Sequence, residues 1–205
     1  MNSKNSKQYW NEIYTNNLPE EVSWFQKEPT VSLEIIQRIS NKKSRIIDVG
    51  GGASTLTSCL LKKGYSHVAV LDISEKAIEY AKEKFADQAN KVEWYVDDIT
   101  SFVSPHPYDI WHDRAVFHFL TDKESRNLYI NTLKNTLNLG AYVIMASFAK
   151  DGPTKCSGLD IMQYDATSIQ HELGNEFLLL ENQFETHQTP KGNKQHFIYF
   201  LFQRR

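Results

Sequence analysis

The run Ile46-Ile47-Asp48-Val49-Gly50-Gly51-Gly52 constrains this chain more than any other feature. A short apolar stretch leads into three consecutive glycines, and such a row lets backbone turn sharply and come close to another group. The next apolar run, His67 to Leu71, is closed by Asp72, twenty-four residues after Asp48. A glycine turn after a first strand, with an acid ending the second, is how a doubly wound α/β sheet holds an adenosine-type ligand. The glycines make room, and the acid accepts hydrogen bonds from ribose hydroxyls. Asp72 as a mere strand terminator is the plainer alternative.

The rest of the chain repeats the alternation that such a sheet requires. Val31, Leu33, Ile35, Ile36 and Ile39 predict a helix after Pro29, and residues 45–49 a buried strand. Leu56, Cys59 and Leu60 fall at helical spacing, with Gly64 placed to end that helix. Residues 67–71 read as the second strand, followed by a helix from Ser74 with Ala77, Ile78, Ala81 and Phe85 on one face. Strands are expected over Val92–Val96, Tyr108–His112 and Ala141–Phe148, and helices over Leu128–Leu137 and Thr167–Leu173. Phe177 to His187 and His196 to Gln203 are two apolar runs joined by a turn with Pro190 and Gly192 and no helix between them, so they pair antiparallel. The expectation is a seven-stranded, mostly parallel, doubly wound sheet with a C-terminal antiparallel hairpin.

Bulk properties narrow the partners. At 205 residues the chain suits one well-buried core. Its 23 basic and 25 acidic residues leave no excess charge, and no basic block is interleaved with aromatics, so no nucleic-acid partner is expected. No apolar run approaches the roughly 20 residues of a membrane span, and Met1–Lys7 lacks the apolar core of a signal peptide. Two cysteines, Cys59 and Cys156, are too few for a secreted disulfide framework. A cytoplasmic protein with no membrane partner and no metal site is the expectation. Residues 1–7 read as frayed, whereas Trp10, Ile13, Tyr14, Trp24 and Phe25 are too many apolar residues for a solvated tail and predict a cover over the sheet or its ligand.

With these residues in view, the chain resembles the class I S-adenosylmethionine-dependent methyltransferases. Their first motif, acid-x-Gly-x-Gly-x-Gly, stands here as Asp48-Val49-Gly50-Gly51-Gly52-Ala53-Ser54, with Ser54 in place of the third glycine. The resemblance spans roughly residues 45–205, and the Trp10 and Trp24 segment is similar to the N-terminal cap of several small-molecule and protein-lysine members. It implies S-adenosylmethionine as cofactor, with residues 1–40 a helical cap and 41–205 the cofactor-binding domain. Carried over by position, Asp48 and Gly50 lie beside the methionine part and Gly52 beside the ribose, with Gly51 also counted among the cofactor-binding residues. Asp72 holds the ribose hydroxyls, Ile73 one adenine face, and Asp98 the adenine amino group, with Ile99 against the ring. Asp113 and Arg114 face the methionine carboxylate and the sulfonium, and Trp24 joins the cofactor contacts. Asp97 or Asp98 capping a turn is the alternative for that pair.

Methyl transfer from a sulfonium is an in-line displacement in which the protein chiefly orients and desolvates, adding a base only when the nucleophile arrives protonated. No fixed catalytic motif is therefore expected. Candidate substrate-side residues follow the fourth and fifth strands: His112, His118 and Phe119, then Phe148, Lys150 and Cys156. His118 is a candidate base or a packed structural histidine, and Cys156 a candidate soft ligand or nucleophile, or neither. The Gly-, Pro- and Ser-rich loop over 149–159 is long for its type and predicts a lid. His187 and His196 are expected to be exposed and incidental. A small-molecule acceptor is favoured by the charge balance. The alternatives are a protein-lysine acceptor, a nicotinamide-dependent oxidoreductase, and a non-catalytic cofactor-binding module.

Overall fold

A computed structural model describes residues 3–205. The expected frayed N-terminus is instead a helix, α1 (Ser3–Asn16), whose Asn11 Oδ1 accepts from Ser74 Oγ and Lys76 N; Met1 and Asn2, part of that expectation, lie outside the described residues. The chain continues through α2 (Thr30–Ile39), β1 (Arg45–Val49), α3 (Leu56–Lys62), β2 (His67–Asp72), α4 (Glu75–Phe85), β3 (Val92–Val96) and β4 (Tyr108–Arg114). Then come α5 (Lys123–Thr136), β5 (Leu137–Phe148), a small hairpin of β6 (Lys155–Cys156) and β7 (Leu159–Asp160), α6 (Ala166–Leu173), β8 (Phe177–Gln188) and β9 (Lys194–Arg204).

Seven strands form one sheet in the order β3-β2-β1-β4-β5-β9-β8. β1 pairs parallel with β2 and β4, whereas β9 runs antiparallel between β5 and β8. The order reverses beside β1, which opens a crevice at the carboxyl ends of β1 and β4. Both faces are covered, and the sequence alternates to suit. Ile47, Val143, Met145, Ile198, Phe200 and Phe202 join Tyr129 and Leu133 of α5 on one side. Their neighbours Ile46, Ile144, Ala146, Tyr199 and Leu201 join Leu33 and Ile36 of α2 and Leu60 of α3 on the other. Each such side chain, taken fully out of water, contributes about 1.5–3 kcal/mol, so β1, β5 and β9 are anchored from both sides.

Polar side chains start the later helices. Ser74 accepts from Ala77 N at α4, Asp122 from Ser125 N at α5, and Asp165 forms a reciprocal capping box with Ser168 at α6. The Asp122 cap starts α5 at Lys123, five residues before the helix expected from apolar spacing alone. Leu137, expected to be helical, has extended backbone and opens β5, where it pairs with Tyr108 before the register shifts.

Candidate active site

The crevice holds a cavity of about 450 Å³, within the range of small-molecule sites. Its lining runs along the carboxyl ends of the strands. Leu71, Asp72 and Ile73 end β2, Asp97 to Thr100 follow β3, Val49 and Gly50 end β1, and Arg114 to Val116 end β4. Cys156, Gly158, Leu159 and Asp160 of the small hairpin and Phe197 of β9 complete the far wall. Trp10 and Tyr14 of α1, with Trp24 and Phe119, cover it. A recess of about 50 Å³ adjoins this cavity, and Tyr14, Trp24, Val49, Gly50 and Arg114 line both.

The glycine turn is built by contacts the sequence motif does not display. Gly50 has φ +69°, and a Cβ there would lie 2.2 Å from Val116 Cγ2. Its bareness thus serves a left-handed turn and the packing of the β4 loop. A Cβ on Gly51 would meet Asp48 Oδ2 at 2.3 Å. Gly52, expected beside a ribose, is not among the lining residues of the cavity or the recess. Its N–H donates to Asp72 Oδ2 at 3.0 Å, and a Cβ would collide with that oxygen at 2.7 Å and with Ala77 at 2.6 Å. Gly52 lets Asp72 tuck beneath the turn. Ser54, at the third glycine position, accepts from Leu56 N and helps start α3.

Asp72 lies at the cavity wall, its Oδ1 accepting from Ser74 N at 2.8 Å. Burial pushes its carboxyl up to about 6 against the pull of the Ser74 and Gly52 N–H groups, and Asp48 adds to the rise. Ile73 and Ile99 line the cavity together with Asp98. Asp98 Oδ1 accepts from Thr100 N and Oγ1, and Asp97 Oδ1 from Asp98 N, so both acids cap a turn while lining the cavity.

The opposite end is organised by a buried polar chain. Asp48 Oδ1 lies 2.7 Å from His112 Nδ1, and His112 Nε2 lies 2.8 Å from Ser32 Oγ, with all three side chains out of water. His112, which lies within β4, thus faces Asp48 and the recess, away from the substrate side expected for it. Arg114 Nε donates to Tyr199 OH at 2.9 Å and Nη1 to the Trp24 carbonyl at 3.0 Å; the guanidinium lies over the Phe197 ring. Two buried atoms lining this region have no hydrogen-bond partner: Asp48 Oδ2 and Arg114 Nη2, the latter 3.7 Å from Glu185. An unpartnered carboxylate oxygen and an unpartnered guanidinium nitrogen on one small recess is costly unless a ligand bearing both charges occupies it.

Several sequence expectations need correction. Asp113, expected to face the ligand, is 1% exposed and absent from the cavity wall. Its carboxylate accepts from Val116 N, Phe117 N and the Tyr129 hydroxyl, which folds the β4 loop back onto the core; burial pushes its carboxyl up to about 6. His118 is fully buried against Phe119 and Phe148, outside the lining, and burial pushes its imidazole down to about 3. Among the expected substrate-side residues, Phe119 and Cys156 line the cavity, whereas Phe148 and Lys150 do not. His187, expected to be exposed, is buried with Nε2 2.8 Å from the Ser23 carbonyl; His196 is exposed beside Asp151. Ser32 and Phe197 were not expected at the site, and Tyr14 was expected only as part of the cover. They reach it through α1, α2 and β9, elements remote in sequence from the glycine turn.

The loop expected to form a lid is the β6–β7 hairpin, turning at Ser157 (φ +51°) and Gly158 (φ +77°). Tyr9 of α1 donates its hydroxyl to the Ser157 carbonyl, so helix and hairpin meet over the cavity.

Comparison with known proteins accords with this geometry. The family described as "Methyltransferase domain" matches residues 40–198. A malonyl-[acyl-carrier protein] O-methyltransferase from Ilyobacter polytropus is 30% identical over 124 residues, covering 60% of this chain. The chain spans about half the length of that curated relative, 45% of it. An S-adenosylmethionine-dependent methyltransferase from Anabaena variabilis shares the fold with a TM-score of 0.77 at 17% identity, covering 99% of this chain and 95% of its own. A magnesium protoporphyrin IX methyltransferase from Synechocystis, solved with S-adenosylhomocysteine, does so with a TM-score of 0.72 at 18% identity, covering 99% of each chain. A doubly wound sheet, a glycine turn reinforced by Asp72, and a family match over most of its length establish that the chain belongs to the class I S-adenosylmethionine-dependent methyltransferases.

Proposed function

We propose that this chain transfers the methyl group of S-adenosylmethionine to a small-molecule acceptor, in the cytoplasm. The observation that carries the reading is a pair of buried atoms without hydrogen bonds in residues that line the recess, Asp48 Oδ2 and Arg114 Nη2. An α-amino acid zwitterion supplies an ammonium for the first and a carboxylate for the second, and a pyrophosphate supplies no ammonium. That difference separates a methionine-bearing cofactor from a nicotinamide dinucleotide.

In this reading Asp72 accepts from the ribose hydroxyls, with Gly52 positioning it. Ile73 and Ile99 sandwich the adenine, and Asp98 accepts from its amino group. Gly50 and Gly51 admit the cofactor backbone, and Trp24 carries the carbonyl that steadies Arg114. When bound, the cofactor supplies an activated methyl group on a cationic sulfur. The chain's own part is to orient that group and exclude water with the aromatic cover, residues 1–40 serving as cap to the domain over 41–205. The cover, closed by Tyr9 on Ser157, supports a small acceptor over a protein lysine. Both cysteines are free thiols, which supports a reducing compartment.

Calorimetry tests the reading. S-adenosylhomocysteine is expected to bind, adenosine alone to bind more weakly, and Arg114→Met to abolish the difference between them. Binding of a nicotinamide dinucleotide in place of S-adenosylhomocysteine would overturn it. At about 100 times its dissociation constant the ligand adds roughly 2.7 kcal/mol of stability.

A further inference from the structure

The cavity has two chemically distinct halves. One lies over β1, β2 and β3, where Asp72, Asp97 and Asp98 supply acceptors. The other lies over β4, β5 and β9, where the walls are Trp10, Tyr14, Trp24, Phe119, Phe197 and Cys156. Its rings interlock edge to face: Trp10 is 5.9 Å from Trp24 and 5.1 Å from Phe119, and Tyr14 is 6.4 Å from Trp24. We infer that this second half is the acceptor site and that it takes a flat, uncharged nitrogen heterocycle, methylated on a ring nitrogen that carries its lone pair at neutral pH. The inference rests on the proposed cofactor reading and deepens it.

Three observations meet in that class. First, the walls are aromatic and suit a planar ring, which stacks edge or face on them. Second, among the described residues this half is lined by no imidazole, and its own acids stand at the rim. Burial holds Cys156 protonated, pushing its thiol up to about 12, and also raises Tyr14. His118 lies outside the lining. The acids at the rim are engaged, Asp122 as the α5 cap and Asp160 beside Lys155. An alcohol, a phenol or a lysine ammonium would arrive with a proton that nothing here removes. Third, among the described residues the lining carries five carboxylates, Asp72, Asp97, Asp98, Asp122 and Asp160, against one guanidinium, that of Arg114. That balance disfavours a carboxylate or phosphate acceptor and favours a product that gains positive charge.

The step balances without a proton. The ring nitrogen's lone pair forms the N–C bond as the C–S bond breaks, and the C–S electron pair passes to sulfur. The positive charge moves from sulfur to the methylated ring, where the same indoles and phenyl rings face it.

Isoquinoline is a suitable probe. Calorimetry first establishes that S-adenosylhomocysteine binds; if it does not, the cofactor reading falls and this inference with it. In the S-adenosylhomocysteine complex, isoquinoline is expected to quench indole fluorescence saturably. Trp10→Leu and Phe119→Leu should weaken that binding roughly two- to tenfold while leaving S-adenosylhomocysteine affinity within about threefold. With S-adenosylmethionine, mass spectrometry should find N-methylisoquinolinium and no methylation of phenol, benzoate, thiophenol, benzylamine or a lysine peptide. No quenching in the complex, or preferred methylation of any of those other acceptors, would overturn the assignment.

Discussion

At Asp72 the glycine turn and the second strand meet in one carboxylate, which accepts from Gly52 N and Ser74 N and faces the cavity. Asp72→Ala is expected to weaken S-adenosylhomocysteine by roughly tenfold to a hundredfold, since hydrogen bonds to an ionised acceptor contribute about 1.5–3 kcal/mol. Burial raises this carboxyl from 3.8 to about 6, and only its ionised form accepts twice over. Affinity measured by calorimetry should therefore fall about tenfold from pH 7.5 to pH 5, and Asp72→Asn should flatten the profile. Stability runs the other way. With the folded value above the unfolded one, the contribution of Asp72 is fullest below pH 3.8 and is lost as pH rises through about 6. His112 works one step further back, joining Asp48 to Ser32 in the dry interior. His112→Phe takes the partner of buried Asp48 Oδ1 and one of the partners of Ser32, and should cost about 1–3 kcal/mol in urea denaturation, with weaker S-adenosylhomocysteine binding. At this scale the sequence displays Asp48, Gly50 and Asp72 through their spacing. It does not display that Asp113 turns inward, because that depends on where Val116 N, Phe117 N and Tyr129 come to rest.

Elements were legible where period and length agree. β1 and β3 match their expected bounds, and β2 extends one residue further; the buried Val68-Ala69-Val70-Leu71 of β2 reads as an unbroken apolar run. The two-residue strands β6 and β7 are too short to carry a period, and α1 is a polar helix whose apolar side is formed by scattered aromatics. These less legible elements are the ones that meet over the site. The Tyr9 contact with Ser157 joins them, so they are expected to respond to ligand together. Hydrogen exchange should show residues 10–25 and 149–159 gaining protection when cofactor and acceptor bind, beyond the gain with cofactor alone. Tyr9→Phe should reduce that gain in both segments. Unchanged exchange in the ternary state would mean that the two segments are ordinary surface.

Across the whole molecule, sheet order decides what shares the crevice. β1 and β4 are neighbours although fifty-eight residues separate Val49 from the start of β4 at Tyr108, counting the residues between them. This adjacency brings Asp48 to His112 and Gly50 to Val116. β9, inserted beside β5, carries Phe197 to the far wall and Tyr199 to Arg114. Apolar patterning announces such a sheet, but only the packed fold brings Ser32 and Phe197 to one ligand. The junction of Tyr9 with Ser157 has a kinetic consequence as well. The cover lies over the half of the cavity assigned to the acceptor, so the acceptor enters and the product leaves where helix and hairpin join. Turnover is then paced by a mechanical event at the surface of the protein, where friction is set by the solvent. Under saturating substrates, added sucrose or glycerol should slow kcat in proportion to viscosity, and Tyr9→Phe should weaken that dependence by loosening the clasp.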